Sequence, residues 1–201
     1  ESALPLFPLG LVLFPGGLLQ LKVFEARYLD LVGQCMRSRT PFGVVCLTQG
    51  GEVGSAKGVR IEQVGALATI EDVDAEQAGI LKVRCLGGQR FRLTAAPVQQ
   101  TNGLWVADTE LLDDDERLAP PTSAAATVEA LRQAVASLRE QGALPFAEPL
   151  HFDDAGWVAN RWCELLPISL AAKQKLMELD DPGVRLQLVD EFLRSKQVVR
   201  G

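Results

Sequence analysis

Residues able to do covalent or metal chemistry are sparse in this chain. It holds one histidine, His151, so any Ser-His-Asp or Cys-His arrangement would have to use it, and nothing near it suggests an oriented nucleophile. A histidine-rich metal site is excluded by the same count. Ser169 and Lys173 are four apart, so the S-x-x-K spacing of a serine–lysine nucleophile is not met. Cys35, Cys46, Cys85 and Cys163 are widely spaced, with no C-x-x-C. Without a secretory signal they read as buried thiols of a reducing compartment rather than as disulfides. The glycine-rich run Gln49 to Ser55, with Lys57 after it, invites comparison with a phosphate-binding loop. That loop needs Gly-Lys followed by Ser or Thr, whereas this chain has Ala56-Lys57-Gly58, so a hairpin loop is expected. Asp113-Asp114-Asp115-Glu116 lacks the glycine offset of a calcium loop and reads as a solvated linker. No catalytic, cofactor-binding or metal residue is expected.

What the chain has instead is apolar pattern. With 201 residues, 47% apolar and 23% charged, it can bury a core as one domain or two small ones. A formal charge of −6 disfavours nonspecific nucleic-acid binding and an anionic membrane surface. The densest run, Leu4 to Val32, is neither a signal peptide nor a membrane helix. No basic residue precedes it, Pro5, Pro8 and Pro15 interrupt it, and Lys22 with the charged VFEARY segment follows directly on its apolar part. A cytoplasmic protein is expected. Leu9 to Phe14 predicts a strand buried on both faces, and Pro15-Gly16-Gly17 a turn. Leu19, Leu21 and Val23 alternate with Gln20 and Lys22 as a half-buried strand. From Glu25 the period becomes helical, placing Tyr28, Val32, Cys35 and Met36 on one face.

Phe42 to Leu47 predicts a buried strand. Val59 and Ile61 are out of phase with Val64, Ala66, Ala68 and Ile70, which predicts a bulge or bend near Gln63 to Gly65. Leu81 to Cys85 and Phe91 to Ala95 predict a hairpin through a three-residue loop, Gly87 to Gln89, with Cys85 opposite Phe91. That register sets Arg84 against Arg92, a like-charge pair needing either a neighbouring carboxylate such as Glu62 or Glu71, or acidic groups of a partner. Leu104 to Leu112 is one more strand. Beyond Pro120-Pro121 the pattern is helical: Val128, Leu131, Val135 and Leu138 end at Gly142, and a second helix starts near Asp154 and stops at Pro167. Ser169 caps a third, and Asp181-Pro182 starts a fourth whose Leu188 and Phe192 point inward. Trp157 and Trp162 read as core more readily than as a pocket lining. The fold class is α+β: a β-rich lobe over 1–112 with one early helix, an acidic, proline-containing linker over 113–122, and a helical bundle over 123–201.

LPLFPLGLVLFPG followed by LKVFEARYLDLV resembles the opening of the Lon N-terminal domain, the substrate-binding region of the ATP-dependent protease La. Ala26 stands where that family often has proline. The resemblance continues through FGVV at Phe42, RFRL at Arg90, and AAKQKLMELDDPGVRLQLV near the end, covering nearly the whole chain. It implies a PUA-like pseudo-barrel and a non-catalytic module recognising exposed or unfolded protein segments, because no residues match the ATPase or Ser-Lys peptidase motifs. The candidate peptide surface is Phe14, Leu18 and Leu19 at the first turn, with Arg27, Arg84 and Arg92 as charged neighbours. An RNA-binding PUA-like module, or a small-ligand binder or enzyme using a cleft between the lobes, remain as alternatives.

Overall fold

In the computed structural model, which describes residues 3–48 and 60–200, the proline-rich opening forms its strand earlier than expected. Strand β1 is Leu4–Leu9, and residues 10–14 are irregular rather than a buried strand. The prolines explain how this is tolerated. Leu9 O accepts from Leu47 N, so odd-numbered residues of β1 face one neighbour and even-numbered ones the other. Pro5 faces the first neighbour before pairing there begins at Leu6, and Pro8 faces the second after pairing there ends at Leu6. Neither missing N–H leaves a ladder acceptor unfilled.

The strands that follow are β2 (Leu18–Val23), β3 (Phe42–Cys46), β4 (Val64–Gln77), β5 (Ile80–Leu93), β6 (Val98–Gln99), β7 (Trp105–Ala107) and β8 (Thr109–Leu111), with helix α1 at Ala26–Ser38. The sheet order is β2-β5-β4-β3-β1-β7-β6, and β8 returns to pair with β5. The predicted strand over 104–112 therefore breaks at Asp108. Its first half pairs β1 and its second half pairs β5, which closes β5, β4, β3, β1 and β7–β8 into a ring. Among the described residues only β1 and β3 run parallel, and the other strand pairs are antiparallel.

Inside this ring Phe91 is fully buried among Leu6, Val45, Leu93 and Ala107. A Cβ at Gly43 would lie 2.7 Å from the Phe91 ring, and one at Gly65 would lie 2.8 Å from it. The two glycines make the room that the ring fills. A second core lies under α1, where Tyr28, Leu31, Val32 and Cys35 are buried. Tyr28 stacks on Phe7 with ring centroids 3.9 Å apart. Met36, expected on that face, is instead 50% exposed. Leu31 takes its place, because Met36 is turned about 90° from the centre of the buried stripe at 3.6 residues per turn.

The largest correction concerns Gly87 to Gln89. They form no hairpin loop. β5 is continuous through them, and the hairpin is β4–β5, turning where Gln77 pairs with Ile80 and Gly79 has φ 77°. A side chain at Gly87 would collide with the Phe14 carbonyl oxygen. Gly87 N donates to Gly17 O at 2.7 Å, and Gly16 N donates to Gly87 O at 2.8 Å. The glycine thus marks a close backbone approach, not a reversal. Arg84 consequently lies opposite Gln20 and Asp72, not Arg92, and Cys85 lies opposite Leu19 and Ile70, not Phe91. The bend foreseen near Gln63 falls just before β4, whose register shifts come later, between Ala66 and Ala68, Ile70 and Asp72, and Asp74 and Gln77. The run Gln49 to Ser55 lies outside the described residues.

The chain divides into two compact units, residues 1–113 and 114–201. In the second, a 3-10 turn at Thr122–Ala124 leads into α2 (Ala125–Glu140), followed by α3 (Ala155–Leu165), α4 (Leu170–Glu178) and α5 (Pro182–Ser195). Ser169 Oγ accepts from Ala172 N at 3.1 Å, and Asp181 Oδ1 accepts from Gly183 N at 2.8 Å with Pro182 in the first turn. Gly142 follows α2 with φ 82°. Trp162 is buried and donates from Nε1 to Thr127 O at 3.0 Å. Leu188 does not point inward: it is 43% exposed, and Phe192 is only partly buried. The inward stripe of α5 is Pro182, Arg185, Leu186, Val189 and Leu193. Asp115 also leaves the solvated linker assigned to it. Its carboxylate accepts from Arg185 Nη1 at 2.7 Å and from Nη2 at 3.2 Å.

Candidate binding site

The thiols offer no nucleophile. All four cysteines are free and buried. Burial raises the thiol pKa of Cys35 and Cys46, and pushes Cys85 and Cys163 up to about 12, so the thiolate is scarce at neutral pH. His151 meets Trp157 edge-on at 6.3 Å, in a cluster that also brings Phe146 and Phe152 to the same indole. Among the described residues no group of three His, Cys, Asp or Glu gathers as a metal site. One carboxyl is strongly perturbed: burial pushes Glu164 up to about 7, opposed by Arg161 and Lys173. Arg161 Nη2 lies 2.8 Å from its Oε1, and burial lowers the guanidinium's own pKa. This pair belongs to the packing of α3, whose residues from Val158 to Cys163 are all buried.

Of the six residues expected to form a peptide surface, two lie in the core and the three arginines are spread over α1 and β5. Phe14 is 1% exposed and Leu19 is 5% exposed, so both fill the core, while Leu18 is half-buried. Arg27 donates to Gly103 O at 3.0 Å, pairs with Glu25 at 2.9 Å, and lies over the Tyr28 ring at 4.7 Å. Arg84 pairs with Glu71 at 3.7 Å, one of the two carboxylates expected for it, and Arg92 pairs with Glu110 at 3.5 Å. Arg84 and Arg92 are eight residues apart on one strand, which separates them by up to about 25 Å. No single small ligand group spans that distance.

What the first unit does gather is a surface groove of about 590 Å³. Leu4 and Pro5 of β1, Leu67 of β4, Val106 of β7 and Leu111 of β8 give it an apolar lining, and Gln34 and Ser38 of α1 with Gln100 give it polar groups. Leu111 is 57% exposed, an apolar side chain that the fold leaves in solvent. A hollow of about 450 Å³ lies between α1 and β4, where Met36, Ile70 and Val73 line it. A third of about 540 Å³ is charged, lined by Lys22, Lys82 and Arg84 with Asp72 and Asp74. Apolar side chains interspersed with hydroxyl and amide groups suit an extended polypeptide, whose backbone is polar and whose side chains can be apolar. Leu4 and Pro5 lie in the recognised opening stretch, but no motif joined them to Leu67, Val106 and Leu111. The available signal was Leu111 itself, an apolar residue just past a strand break at Asp108.

No helix among the described residues is long and apolar enough to cross a membrane. A comparison with curated protein sequences gives no match. Among solved structures, the chain is similar to a Lon N-terminal domain protein from Xanthomonas campestris, at 32% identity and a TM-score of 0.75. That match covers 94% of this chain and 97% of the other. It shares its fold with the N-terminal domain of the Mycobacterium avium complex Lon protease, at 18% identity and a TM-score of 0.61, covering 96% and 98%. The family profile for the ATP-dependent protease La (LON) substrate-binding domain matches residues 3–195, and no protease or ATPase domain was found. The chain belongs to the Lon substrate-binding domain family.

Proposed function

We propose that this chain binds polypeptide segments without cutting them, and that the groove lined by Leu4, Leu67, Val106 and Leu111 is the contact surface. The observation that carries the reading is this groove of mixed apolar and polar lining on a chain whose residues 3–195 match a family named for substrate binding. An apolar side chain seated there contributes about 1.5–3 kcal/mol before the cost of ordering the peptide. Arg84 and Arg92 are engaged with Glu71 and Glu110, so charge makes a secondary contribution through them.

Anisotropy of a labelled, reduced and carboxymethylated model protein tests the proposal. Leu111→Asp places a charge in the groove and weakens binding several-fold, with folding checked by circular dichroism. Leu18→Ser, at the first turn, leaves binding unchanged. Loss of binding in Leu18→Ser with no effect of Leu111→Asp returns the site to the first turn. Absence of binding by the wild type refutes the function, and cleavage of the probe by the purified chain refutes its non-catalytic character.

A further inference from the structure

We propose that the free edge of β2 takes an extended acidic polypeptide segment as an added strand. This surface is separate from the groove, and the two assignments stand or fall independently. β2 ends the sheet order among the described residues. Gly87 N donates to Gly17 O, and the β2–β5 register continues without a shift, so odd-numbered residues of β2 bond to β5. The N–H and C=O groups of Leu18, Gln20 and Lys22 therefore point away from β5, where a further strand would bond.

The charges on the outward face say what kind of strand fits. Asp72 and Asp74 of β4 lie opposite Arg84 and Lys82 of β5. Lys82 is bonded to Glu76 at 2.6 Å and Arg84 is paired with Glu71 at 3.7 Å, so the β5 charges are balanced on that side. On the other side they meet Gln20 and Lys22, which puts Lys22 directly opposite Lys82. Like charges in directly opposed positions are unfavourable. Lys22 is exposed, and the carboxylate it interacts with is Glu76, already bonded to Lys82, so one carboxylate serves two lysines there. The face runs acidic, basic, basic, and then stops. An added strand with carboxylates at alternate positions supplies the missing acidic column, while its backbone takes up the edge groups. A second copy of β2, whose sequence LLQLKV has no acidic residue, would supply no such column.

An eight-residue Glu-Val repeat peptide is the probe, with a Lys-Val repeat as control, at low salt where surface charge is least screened. Amide exchange of the labelled protein is followed by NMR. At saturating Glu-Val peptide the Gln20 and Lys22 amides slow at least tenfold. The Lys-Val peptide binds roughly tenfold more weakly, the ratio expected when one or two cross-strand pairs change sign. Lys22→Glu reverses the preference, and Leu111→Asp leaves it unchanged. Unchanged exchange at Gln20 and Lys22 overturns the proposal, as does equal binding of the two peptides. Either result would make Lys22 a guard that keeps the edge unpaired. Loss of Glu-Val binding in Leu111→Asp would also overturn it, by assigning the peptide to the groove.

Discussion

Asp115→Ala removes one acidic side chain from a run of four, and the structure makes it the costly one. Arg185, its partner, has a side chain only 2% exposed, and Asp115 is itself 19% exposed. The guanidinium meets both carboxylate oxygens, donates from Nε to Leu176 O at 2.8 Å, and reaches Leu179 O. Deleting the carboxylate leaves a buried cation with carbonyls alone. Breaking a buried pair from one side costs roughly 3–5 kcal/mol, and the partial exposure of Asp115 puts this case near the lower end, about 3 kcal/mol. For a unit of this size that corresponds to a fall in melting temperature of roughly 12–24 °C.

The assay is thermal unfolding followed by fluorescence of Trp157 and Trp162, both in the second unit, with Trp105→Phe silencing the first. Asp114→Ala, one residue away and exposed, is the control and shifts stability by less than about 0.5 kcal/mol. The double change Asp115→Leu with Arg185→Met recovers most of the loss, because no buried charge is left unpaired. Equal, small effects of Asp114→Ala and Asp115→Ala would refute the reasoning and return Asp115 to the solvated run.

Glu164 gives a pH-dependent counterpart: its folded carboxyl holds a proton more tightly than its ordinary value of 4.5, with a folded value of about 7. Its contribution to stability is full below pH 4.5 and lost as pH rises through about 7, by at most about 3 kcal/mol. Glu164→Gln should therefore gain on the wild type between pH 5 and 8 in urea titrations, and a pH-independent difference would contradict this. Gly87→Val should cost at least about 3 kcal/mol, because the Phe14 carbonyl it meets is backbone and cannot rotate away. Gly79→Ala, in open space at φ 77°, should cost only about 1–2 kcal/mol by the same denaturation assay. Ser169→Ala removes the α4 cap and should lower stability by about 1 kcal/mol, measured as a shift in the urea midpoint.

The features legible in the sequence are those whose cause is local. Ser169, Asp181-Pro182 and Gly142 cap or end helices through hydrogen bonds and backbone angles a few residues away, so composition alone placed them. Alternation in β2 was legible because one face is wet and the other dry. Helix phase was less so. In α1 and α5 apolar residues outnumber the stripe that can be buried, and Met36 and Leu188 were assigned inward where Leu31 and Leu186 are. What failed outright depended on partners distant in sequence.

Gly87-Gly88 carries the same letters as a turn, yet its role is set by Phe14 and Gly17 crossing it. Asp115 looks like its exposed neighbours until Arg185, 70 residues on, is placed beside it. The groove belongs to the same class. Its lining comes from β1, β4, β7 and β8, and no one of those segments by itself shows that they meet. In a ring closed by a strand that changes partners at Asp108, a binding surface is a property of the closure. That is why Phe14, in the most recognisable stretch of the chain, ended in the core, while Leu111, in a three-residue strand, was left facing solvent. The same stretch also supplies Leu4 and Pro5 to the groove, so where the ring closes, and not the strength of the signature, decides which of its side chains a ligand can reach.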